Sequence, residues 1–532
     1  MAEQSRAYPH LDNAWKSACK ILFGRDIGSL SGYREWLLEF VTAPRQEKSA
    51  ISGRQVSLSY GDYSRNARFA GFDELDFSKK FQPLSINEVK DIDSIVEAVA
   101  ERMHYAGNIV LGNSKFVESS ASVADSHFVI GSSTVSDSKY VAYSHMLRKC
   151  SYIFGVEGDA DSDFIIRCSD NHNAKRCFEC YTAIASSDCY YCMHPQDCRE
   201  LFFCFGMRSK EYCVGNLALP RDKYLTLKSK LLGELADTLQ RDKKVFSLLR
   251  VVSEARKHPV EISVPATGVE EKTDIAPMEK AFSHTSSLLL GRELGGMDSY
   301  ESFLTRHVRP RLVFKSPLSG KKAYLSSYMA KLAQANPIGS SFVTEDELVE
   351  VGKISIPKGA VEKIRLDAHA LSQILHPIAF CAMCDVIGNT RNLIDCALIG
   401  HASDCYRTDA AVYAKKCGYS FWPRESEHIF GSWTVWESSF CMRSYLSKKL
   451  TRCFEADTCE SCSDLYYSHN CENVNDSMFC FNTKNKRFAI GNAEMPRQQY
   501  MIIKQSIISQ VAGELESKHD VKWDIFRLAG RK

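Results

Sequence analysis

The sequence has no long apolar run. No stretch of about 18 consecutive apolar residues occurs among its 532 residues, so no membrane-spanning helix is predicted. The first residues, MAEQSR, lack the apolar stretch of a secretory signal peptide. Both absences favour a protein that is made and kept in a reducing cytoplasm, or in a virion if a phage encodes it.

An excess of charge of one sign is also missing. The chain has 67 Lys and Arg against 65 Asp and Glu, and its formal net charge is +2. Dedicated nucleic-acid binders usually show a clear basic excess, so neither nucleic acid nor a membrane is expected as a partner. The hydrophobic share of 44% and the charged share of 25% are typical of globular proteins, and the length predicts several domains.

Sequence signatures of catalysis are absent as well. The chain contains no HExxH, GxSxG or P-loop motif, and its 15 His are scattered. No catalytic residue and no cofactor are therefore expected. One alternative stays open, because Glu179 and Glu455 recur at matched positions, and polysaccharide-cleaving solenoids place carboxylates along a groove. That alternative is a carbohydrate-active enzyme that uses an outer groove.

Cysteine, in contrast, is abundant, with 21 residues. In a reducing compartment, many Cys indicate metal binding or catalysis more often than disulfides. Four CxxC pairs occur, namely Cys177/Cys180, Cys189/Cys192, Cys381/Cys384 and Cys459/Cys462. Two such pairs are elsewhere typical of a zinc site. The position of the Cys within the repeats decides between these interpretations.

Much of the sequence matches itself when it is shifted by 276 residues. Matching pairs include Gly112 and Gly388, Ile153 and Ile429, Phe203 and Phe479, and Pro220 and Pro496. A weaker match lies upstream, where Ser52 and Gly53 resemble Ser319 and Gly320 at a shift of 267. Each copy is therefore predicted to contain a hairpin, a helix, a repeat array and a closing helix.

Within each copy a period of 12 residues appears. The first slot is mostly apolar, as in Val117, Val129, Val141, Ile153, Ile165, Cys177, Cys189, Leu201 and Cys213. The fourth and tenth slots hold mainly Ser, Cys and Ala. Positions three apart thus share small or apolar character, which fits neither a helix with period 3.6 nor a flat strand with period 2. It fits a chain that turns corners around a narrow axis.

The Cys follow this frame closely. Every Cys except Cys19 occupies an inward slot. A coil of 12 residues has a perimeter of roughly 40 Å, so only small side chains fit inside it. Free Cys behaves as a small buried hydrophobe, and the thiols are interpreted as packing groups without a metal. A thiol-based metal-binding or redox protein is a second alternative, with six ligand candidates: Cys177, Cys180, Cys189, Cys192, Cys459 and Cys462.

The predicted fold is mainly β with α caps: an internally duplicated, narrow β-solenoid of 12-residue coils, flanked by capping and linker helices. Region 1–104 is expected to hold a hairpin near 49–60 and a capping helix, and 105–219 the first solenoid. Capping helices follow over 220–260. A linker with a second hairpin at 316–328 and another capping helix occupies 261–380. The second solenoid is 381–495, and 496–532 forms a closing helix and tail.

Aromatic and apolar residues are predicted to stack on the outside of the later coils. An exposed apolar ladder usually needs a cover, which is either the chain's own helices or another subunit. The residues proposed for such an interface are Phe178, Tyr190, Phe202, Phe454, Tyr466 and Met478.

Segments such as RCFECYTA and LFFCFGMRSKEYCVGNLALPRDKY combine Cys and aromatic residues and end in GN followed by Pro and Tyr. Over roughly 105–235 and 381–515 the chain resembles a loosely defined set of Cys-rich 12-residue-repeat proteins of minimal-genome microbes and large phages. The resemblance implies the β-solenoid fold and brings neither an activity nor catalytic residues. The coil is also similar to that of insect antifreeze solenoids, but their Thr-x-Thr face is missing.

The sequence therefore favours a structural role. A thin, filled tube offers no ligand cavity, and two tandem copies offer two similar faces to partners. We expect a rigid module of a larger assembly, with other protein subunits or further copies of the chain as partners. A virion component of a tailed phage is the specific form of this expectation.

Overall fold

The computed structural model describes residues 5–59, 61–85, 89–257, 273–384, 386–424, 427–434, 439–445 and 452–530. Within these ranges the chain is mixed α/β, with many short parallel strands in long sheets and helices that flank them. Helices pack along the sheets as well as at their ends. The expectation of a mainly β protein therefore understates the helical part of the chain. Residues 86–88, where the N-terminal capping helix is expected to begin, and residues 258–272, which include the first part of the expected linker 261–380, lie outside the described residues.

The α-helices of the described ranges pack on the sheets and at their ends. They are α1 (Tyr8–Phe23), α2 (Arg34–Leu38), α3 (Ile92–Val99), α4 (Arg221–Asp242), α5 (Leu248–Ala255), α6 (Ala276–Leu290), α7 (Glu301–Thr305), α8 (Ala330–Ala335), α9 (Glu345–Val351), α10 (Ala368–Leu375) and α11 (Arg497–Lys518). Pro220 and Pro496 precede α4 and α11, where proline fixes the φ angle without removing a helical hydrogen bond. Short 3-10 helices span Leu30–Tyr33, Phe72–Glu74, Ala100–Arg102, Met297–Tyr300, Ser327–Met329, Gly339–Ser341 and Lys358–Lys363.

Two hairpins precede the repeats. The first pairs β1 (Arg45–Lys48) with β2 (Gln55–Leu58), followed by β3 (Phe69–Gly71). The strand β3 runs parallel to β4 (Tyr105–Gly107), where the repeats begin. The second hairpin lies at Leu312–Lys315 and Lys322–Leu325. In both hairpins a Ser hydroxyl at the turn donates to a Glu carboxylate, from Ser49 to Glu74 and from Ser316 to Glu347.

Array 1, which we define as residues 105–218, contains two parallel sheets. A ten-stranded sheet comprises Lys115–Glu118, His127–Ile130, Lys139–Ala142, Ser151–Phe154, Asp163–Ile166, Lys175–Phe178, Ser187–Tyr190, Arg199–Phe202, Glu211–Val214 and Leu217–Ala218. A six-stranded sheet comprises Val110–Leu111, Ala121–Ala124, Ser133–Ser136, His145–Arg148, Glu157–Ala160 and Ser169–His172. Most neighbouring strands pair at a shift of one 12-residue repeat, as in Val129 with Val141 and Val141 with Ile153. Two exceptions lie at the ends, where Val110 pairs with Val123 at a shift of 13 and the last strand is antiparallel.

Array 2, residues 386–494, has the same kind of pairing. Its strands are Val386–Ile387, Arg391–Ile394, Ala397–Gly400, Ser403–Tyr406, Asp409–Val412, Lys415–Gly418, Cys453–Asp457, Ser463–Met478, Phe481–Arg487, Ala489–Ile490 and Ala493–Glu494. Leu393 is in register with Cys405, and Cys405 with Cys417. Residues one repeat apart thus pair over most of both arrays, although Ser463–Met478 in array 2 is a single strand longer than one repeat.

A left-handed backbone residue recurs at every third position of the arrays. Phe128, Tyr140 and Tyr152 have φ of 58°, a value that is uncommon for bulky residues. The residue after each left-handed one is the predicted inward residue, such as Val129. The backbone therefore turns once per three residues, which explains the period of three in the sequence.

Inside each array lies a separate apolar cluster. The cluster of array 1 contains the inward Val, Ile, Leu and Cys residues of residues 123–213, and that of array 2 the equivalent residues of 399–489. A third, larger cluster joins the helices, the hairpins and the outer aromatic residues of both arrays. The helices thus pack on the outside of the arrays rather than contributing to their interiors.

Equivalent positions of the two copies make equivalent contacts. Trp15 of α1 packs edge-to-face on Phe154, and Phe282 of α6 packs edge-to-face on Phe430. Both helices end at a left-handed glycine, Gly24 in α1 and Gly291 in α6. The sequence match upstream of the arrays is too weak to indicate this equivalence.

The residues at the beginning of each array, or directly before it, contact the later part of the other array. The Ala106 amide donates to Nε2 of His469 at 2.9 Å, and Arg102 donates to the Gly491 carbonyl at 2.8 Å. At the other end, the Ile356 amide donates to the Gly215 carbonyl at 3.1 Å. Gly215 and Gly491 are equivalent positions, so the arrays lie side by side in opposite directions and close both ends of the molecule.

Candidate binding groove between the two arrays

The cysteine candidates lie inside the arrays. Cys177, Cys180, Cys189 and Cys192 belong to the inner cluster of array 1, and Cys459 and Cys462 to that of array 2. All cysteines are free thiols. The described residues hold no group of three or more His, Cys, Asp or Glu side chains that could bind a metal ion. Burial raises the pKa of Cys198 to about 11, which keeps this thiol protonated and unreactive near neutral pH.

Two CxxC residues depart from the inward frame. Cys381 lies in the large outer cluster, where Phe342 pairs with it through a parallel bridge. Cys384 is half-buried next to the start of array 2. Both precede the first complete repeat, so no coil surrounds them.

The six aromatic and apolar interface candidates are buried within the chain: Phe178, Tyr190, Phe202, Phe454, Tyr466 and Met478. Phe23 of α1 packs edge-to-face on Phe178 at 5.1 Å between ring centroids. The hydroxyl of Tyr190 donates to the carbonyl of Leu22 at 2.9 Å. The chain's own helices therefore cover this ladder, and it does not present a surface to a partner.

A different aromatic ladder, which is not among the predicted interface residues, is half-exposed on array 1. It consists of Phe116, Phe128, Tyr140, Tyr152 and Phe164, and the 12-residue spacing of these aromatics could have revealed it. Neighbouring rings lie 4.5–5.1 Å apart between centroids, and most are nearly parallel. Because the ring faces stack on one another, they are not free to stack on a ligand.

The two carboxylates considered for an outer catalytic groove are also buried. Glu179 accepts hydrogen bonds from Arg167 Nε at 2.8 Å, the Tyr181 hydroxyl at 3.0 Å and the Leu248 amide at 3.2 Å. Glu455 lies 2.9 Å from Nη2 of Arg443, and burial raises the pKa of Glu455 to about 7 although Arg443 lowers it. Glu179 thus joins array 1 to α5, Glu455 pairs within array 2, and neither carboxylate lines the open groove described below.

A cavity of about 600 Å³ lies between the two arrays, and we call it the central groove. Array 1 contributes Thr134, Met146 and Gly158 to its walls, and array 2 contributes Ala410, Val412 and Trp422. A second cavity of about 600 Å³ adjoins it, since Ile184 and Ile387 line both. The facing sheets carry small residues such as Thr134, Gly158 and Ala410 beside larger ones such as Met146 and Trp422.

Two equivalent arginines line the central groove. Arg148 and Arg424 are related by the 276-residue shift. Arg148 Nη2 lies 3.5 Å from Asp161, and its buried Nε has no hydrogen-bond partner in the described parts of the chain. Arg424 packs over the Trp422 ring at 5.1 Å. The groove thus combines apolar walls with a cationic side chain from each array.

Most acids of the groove already have partners. Asp125 accepts the Asn113 amide at 2.9 Å, and Asp170 accepts the hydroxyl of Tyr328. Glu472 forms an ion pair with Lys484, whose Nζ lies 5.1 Å from the centroid of Phe77 at one end of the groove. Asp137 is exposed at the rim.

Within array 1, Asp159 and Asn171 occupy inward positions next to the groove. Asn171 donates to Asp159 Oδ2 at 3.2 Å and accepts the Ala183 amide at 2.9 Å. Burial raises the pKa of Asp159 well above its ordinary value. Its contact with Asn171 makes it part of the internal pairing of array 1.

Comparisons with family models, with curated proteins and with solved structures find no match to this chain. Among the helices in the described ranges, none combines the length and the apolar composition that a membrane crossing requires. The function proposed below therefore rests on the geometry of the chain itself.

Proposed function

We propose that the protein is a rigid structural module that assembles with protein subunits, and first with further copies of itself. In this proposal each array is a narrow β-solenoid with 12-residue coils. The in-register pairing of residues one repeat apart and the separate inner cluster of each array support the solenoid. In a phage-encoded protein, this module would be part of the virion.

The closed ends of the arrays support a module of defined size. An uncovered end would offer free backbone groups to another chain and lead to uncontrolled stacking. Asn216 accepts the Phe205 amide at 2.8 Å, and its equivalent Asn492 accepts the Phe481 amide at 2.9 Å. Asn216 also donates to the Ile354 carbonyl at 3.0 Å, which ties the end of array 1 to the second copy. Assembly would therefore use other surfaces.

The observation that carries the proposal is a pair of equivalent apolar patches on the outer helices. Ile21 and Leu288 are exposed at equivalent positions of α1 and α6, and Leu225 and Met501 at equivalent positions of α4 and α11. Ile502 next to Met501 is 66% exposed. The helices that carry these residues are in contact within each copy, α1 with α4 and α6 with α11. A molecule with two like patches that pair with each other forms open chains.

Sedimentation velocity of the full-length chain tests this proposal. We expect species larger than the monomer to increase from low to high micromolar concentration. The double variant Leu225→Lys/Met501→Lys should remain monomeric, because two charges would then be desolvated at each contact. The matched control Gln240→Lys/Ser517→Lys adds the same charge to exposed positions of the same helices and should assemble like the wild type. A wild type that stays monomeric at every concentration would contradict the proposal.

A further inference from the structure

We propose that the central groove binds a long-chain anionic amphiphile, with its hydrocarbon chain between the two arrays and its acidic head group at Arg148 and Arg424. This inference goes beyond the assembly role and does not depend on it. It rests on the shape of the groove, on the chemistry of its walls and on the placement of the two arginines.

The shape of the groove favours a chain-like ligand. Along array 1 its lining positions advance one repeat at a time, from Ser122 through Met146 to Asp170. Arg148 shares the repeat of Met146, and from there the lining continues over three repeats to Leu111 in array 1 and over four repeats from Arg424 to Glu472 in array 2. At roughly 4.8 Å per repeat this half of the groove is about 15–20 Å long, which is close to the length of an extended long-chain acyl group. The volume of about 600 Å³ lies in the range of ordinary small-molecule sites.

The backbone of the walls favours hydrocarbon over peptide. Amides of both arrays donate along the array to the previous repeat, as Lys149 does to the Ser136 carbonyl at 3.0 Å and Tyr413 to the Gly400 carbonyl at 2.9 Å. The walls therefore have no sheet edge to which an extended peptide could add as a strand. A peptide in the groove would leave many of its amides without partners, whereas a hydrocarbon chain has none to satisfy. Leu398, Val412 and Met146 supply apolar contacts along the way.

The placement of the two arginines, rather than the overall charge of the groove, favours an anionic head group. Arg148 and Arg424 come from opposite walls, and Lys149 lines the same groove. The pair between Arg148 and Asp161 is long at 3.5 Å, so a carboxylate or phosphate in the groove could compete for this guanidinium. The acids at the far end are held by other contacts, as Glu472 is by Lys484. An anionic head group would therefore face one arginine on each wall, and the two arginines occupy equivalent positions of the two copies.

The test is isothermal titration calorimetry of the full-length chain with oleate, below its micelle concentration. We expect saturable binding of one oleate per chain, weaker binding of the uncharged oleyl alcohol, and no binding of an extended apolar peptide. The variant Arg148→Gln/Arg424→Gln should bind oleate at least tenfold more weakly and bind oleyl alcohol unchanged. Arg148→Lys/Arg424→Lys should retain most of the affinity, since it keeps the charge.

The matched control is Arg25→Gln/Arg292→Gln, which removes two equivalent arginines from the outer helices and should leave oleate binding unchanged. If Arg148→Gln/Arg424→Gln does not fold, Val412→Glu provides the second test, because a carboxylate on the apolar wall should abolish oleate binding. Absence of saturable oleate binding would overturn the proposal. So would an equal effect of the groove variant and the outer control, or binding of the peptide in place of oleate.

Discussion

The amide of Cys150 donates to the hydroxyl of Ser138, one repeat earlier, at 3.0 Å. The same hydroxyl donates to the carbonyl of Ser136 at 2.7 Å, so it connects two successive repeats from the inside. Inward residues in the middle of strands, such as Val129, have their backbone groups in the sheet and can be purely apolar. Inward residues at the corners need an acceptor for the next amide, which explains why Ser and Cys occupy the fourth and tenth slots.

Replacing this acceptor should destabilise array 1. Ser138→Ala leaves the Cys150 amide buried without a partner, and we expect the free energy of unfolding to fall by about 1–3 kcal/mol. Ser138→Cys should lose less, because Cys168 already accepts the Cys180 amide at 3.2 Å in the same way. Urea denaturation measures both. The exposed Ser119→Ala is the control, and a loss as large as that of Ser138→Ala would show that the internal acceptor is not the cause.

Two equivalent glycines allow α2 and α7 to approach the arrays. A Cβ at Gly155 would lie 2.9 Å from the Leu37 carbonyl oxygen, and one at Gly431 would lie 2.5 Å from that of Leu304. Both residues also have positive φ, of 68° and 71°. Gly155→Ala and Gly431→Ala should each destabilise the protein by roughly 1–3 kcal/mol, because backbone rather than a flexible side chain must move. The thermal unfolding midpoint measures the effect.

The control for these glycines is Gly233 in α4, where a Cβ would meet nothing within 4 Å. Gly233→Ala should stabilise the protein by about 0.5–1 kcal/mol, since alanine loses less backbone entropy in a helix. A destabilisation by Gly233→Ala equal to that by Gly155→Ala would contradict the explanation by close approach.

Glu455 should make stability depend on pH. Burial raises its pKa in the folded state to about 7, above the ordinary value of 4.5. The folded state therefore holds a proton that the unfolded chain has lost, and this contribution to stability decreases as the pH rises from about 4.5 to about 7. Urea titrations at several pH values should show this decrease in the wild type, and a smaller one in Glu455→Gln.

Other charged groups that face Glu455 also shift its pKa. Arg443 pairs with it at 2.9 Å, while Asp524 raises and His307 and Arg306 lower its pKa. The exposed Glu362→Gln serves as the control and should keep the wild-type pH profile. An unchanged slope in Glu455→Gln would show that this carboxyl does not titrate in the predicted window.

The repeat and the placement of its thiols could be predicted from the sequence because each slot has one environment in every coil. Cys177 and Cys453 lie inside the arrays, as their slots predict, whereas Cys381 does not because it precedes the first complete coil. The left-handed backbone of Phe128 could not be predicted, since local preference alone disfavours it. The equivalence of α1 and α6 was missed because Trp15 and Phe282 share only their aromatic character.

The central groove could not be predicted either. Its shape depends on how the arrays lie against each other, and contacts between residues far apart in the sequence, such as that of Ala106 with His469, determine this arrangement. Slots that face the groove look like ordinary surface positions with small side chains. The sequence pattern reports the interior of each array, whereas the arrangement of the two arrays is a property of the folded chain.

The placement of the thiols is tested most directly by the rate at which each of them reacts with iodoacetamide in the native protein. Mass spectrometry follows the reaction of each cysteine. If thiols fill the inside of both arrays, Cys177, Cys189, Cys453 and Cys480 should react only as fast as the protein unfolds, while all 21 thiols react in denaturant. Rapid labelling of these four cysteines in the folded protein, at the rate seen in denaturant, would contradict the account.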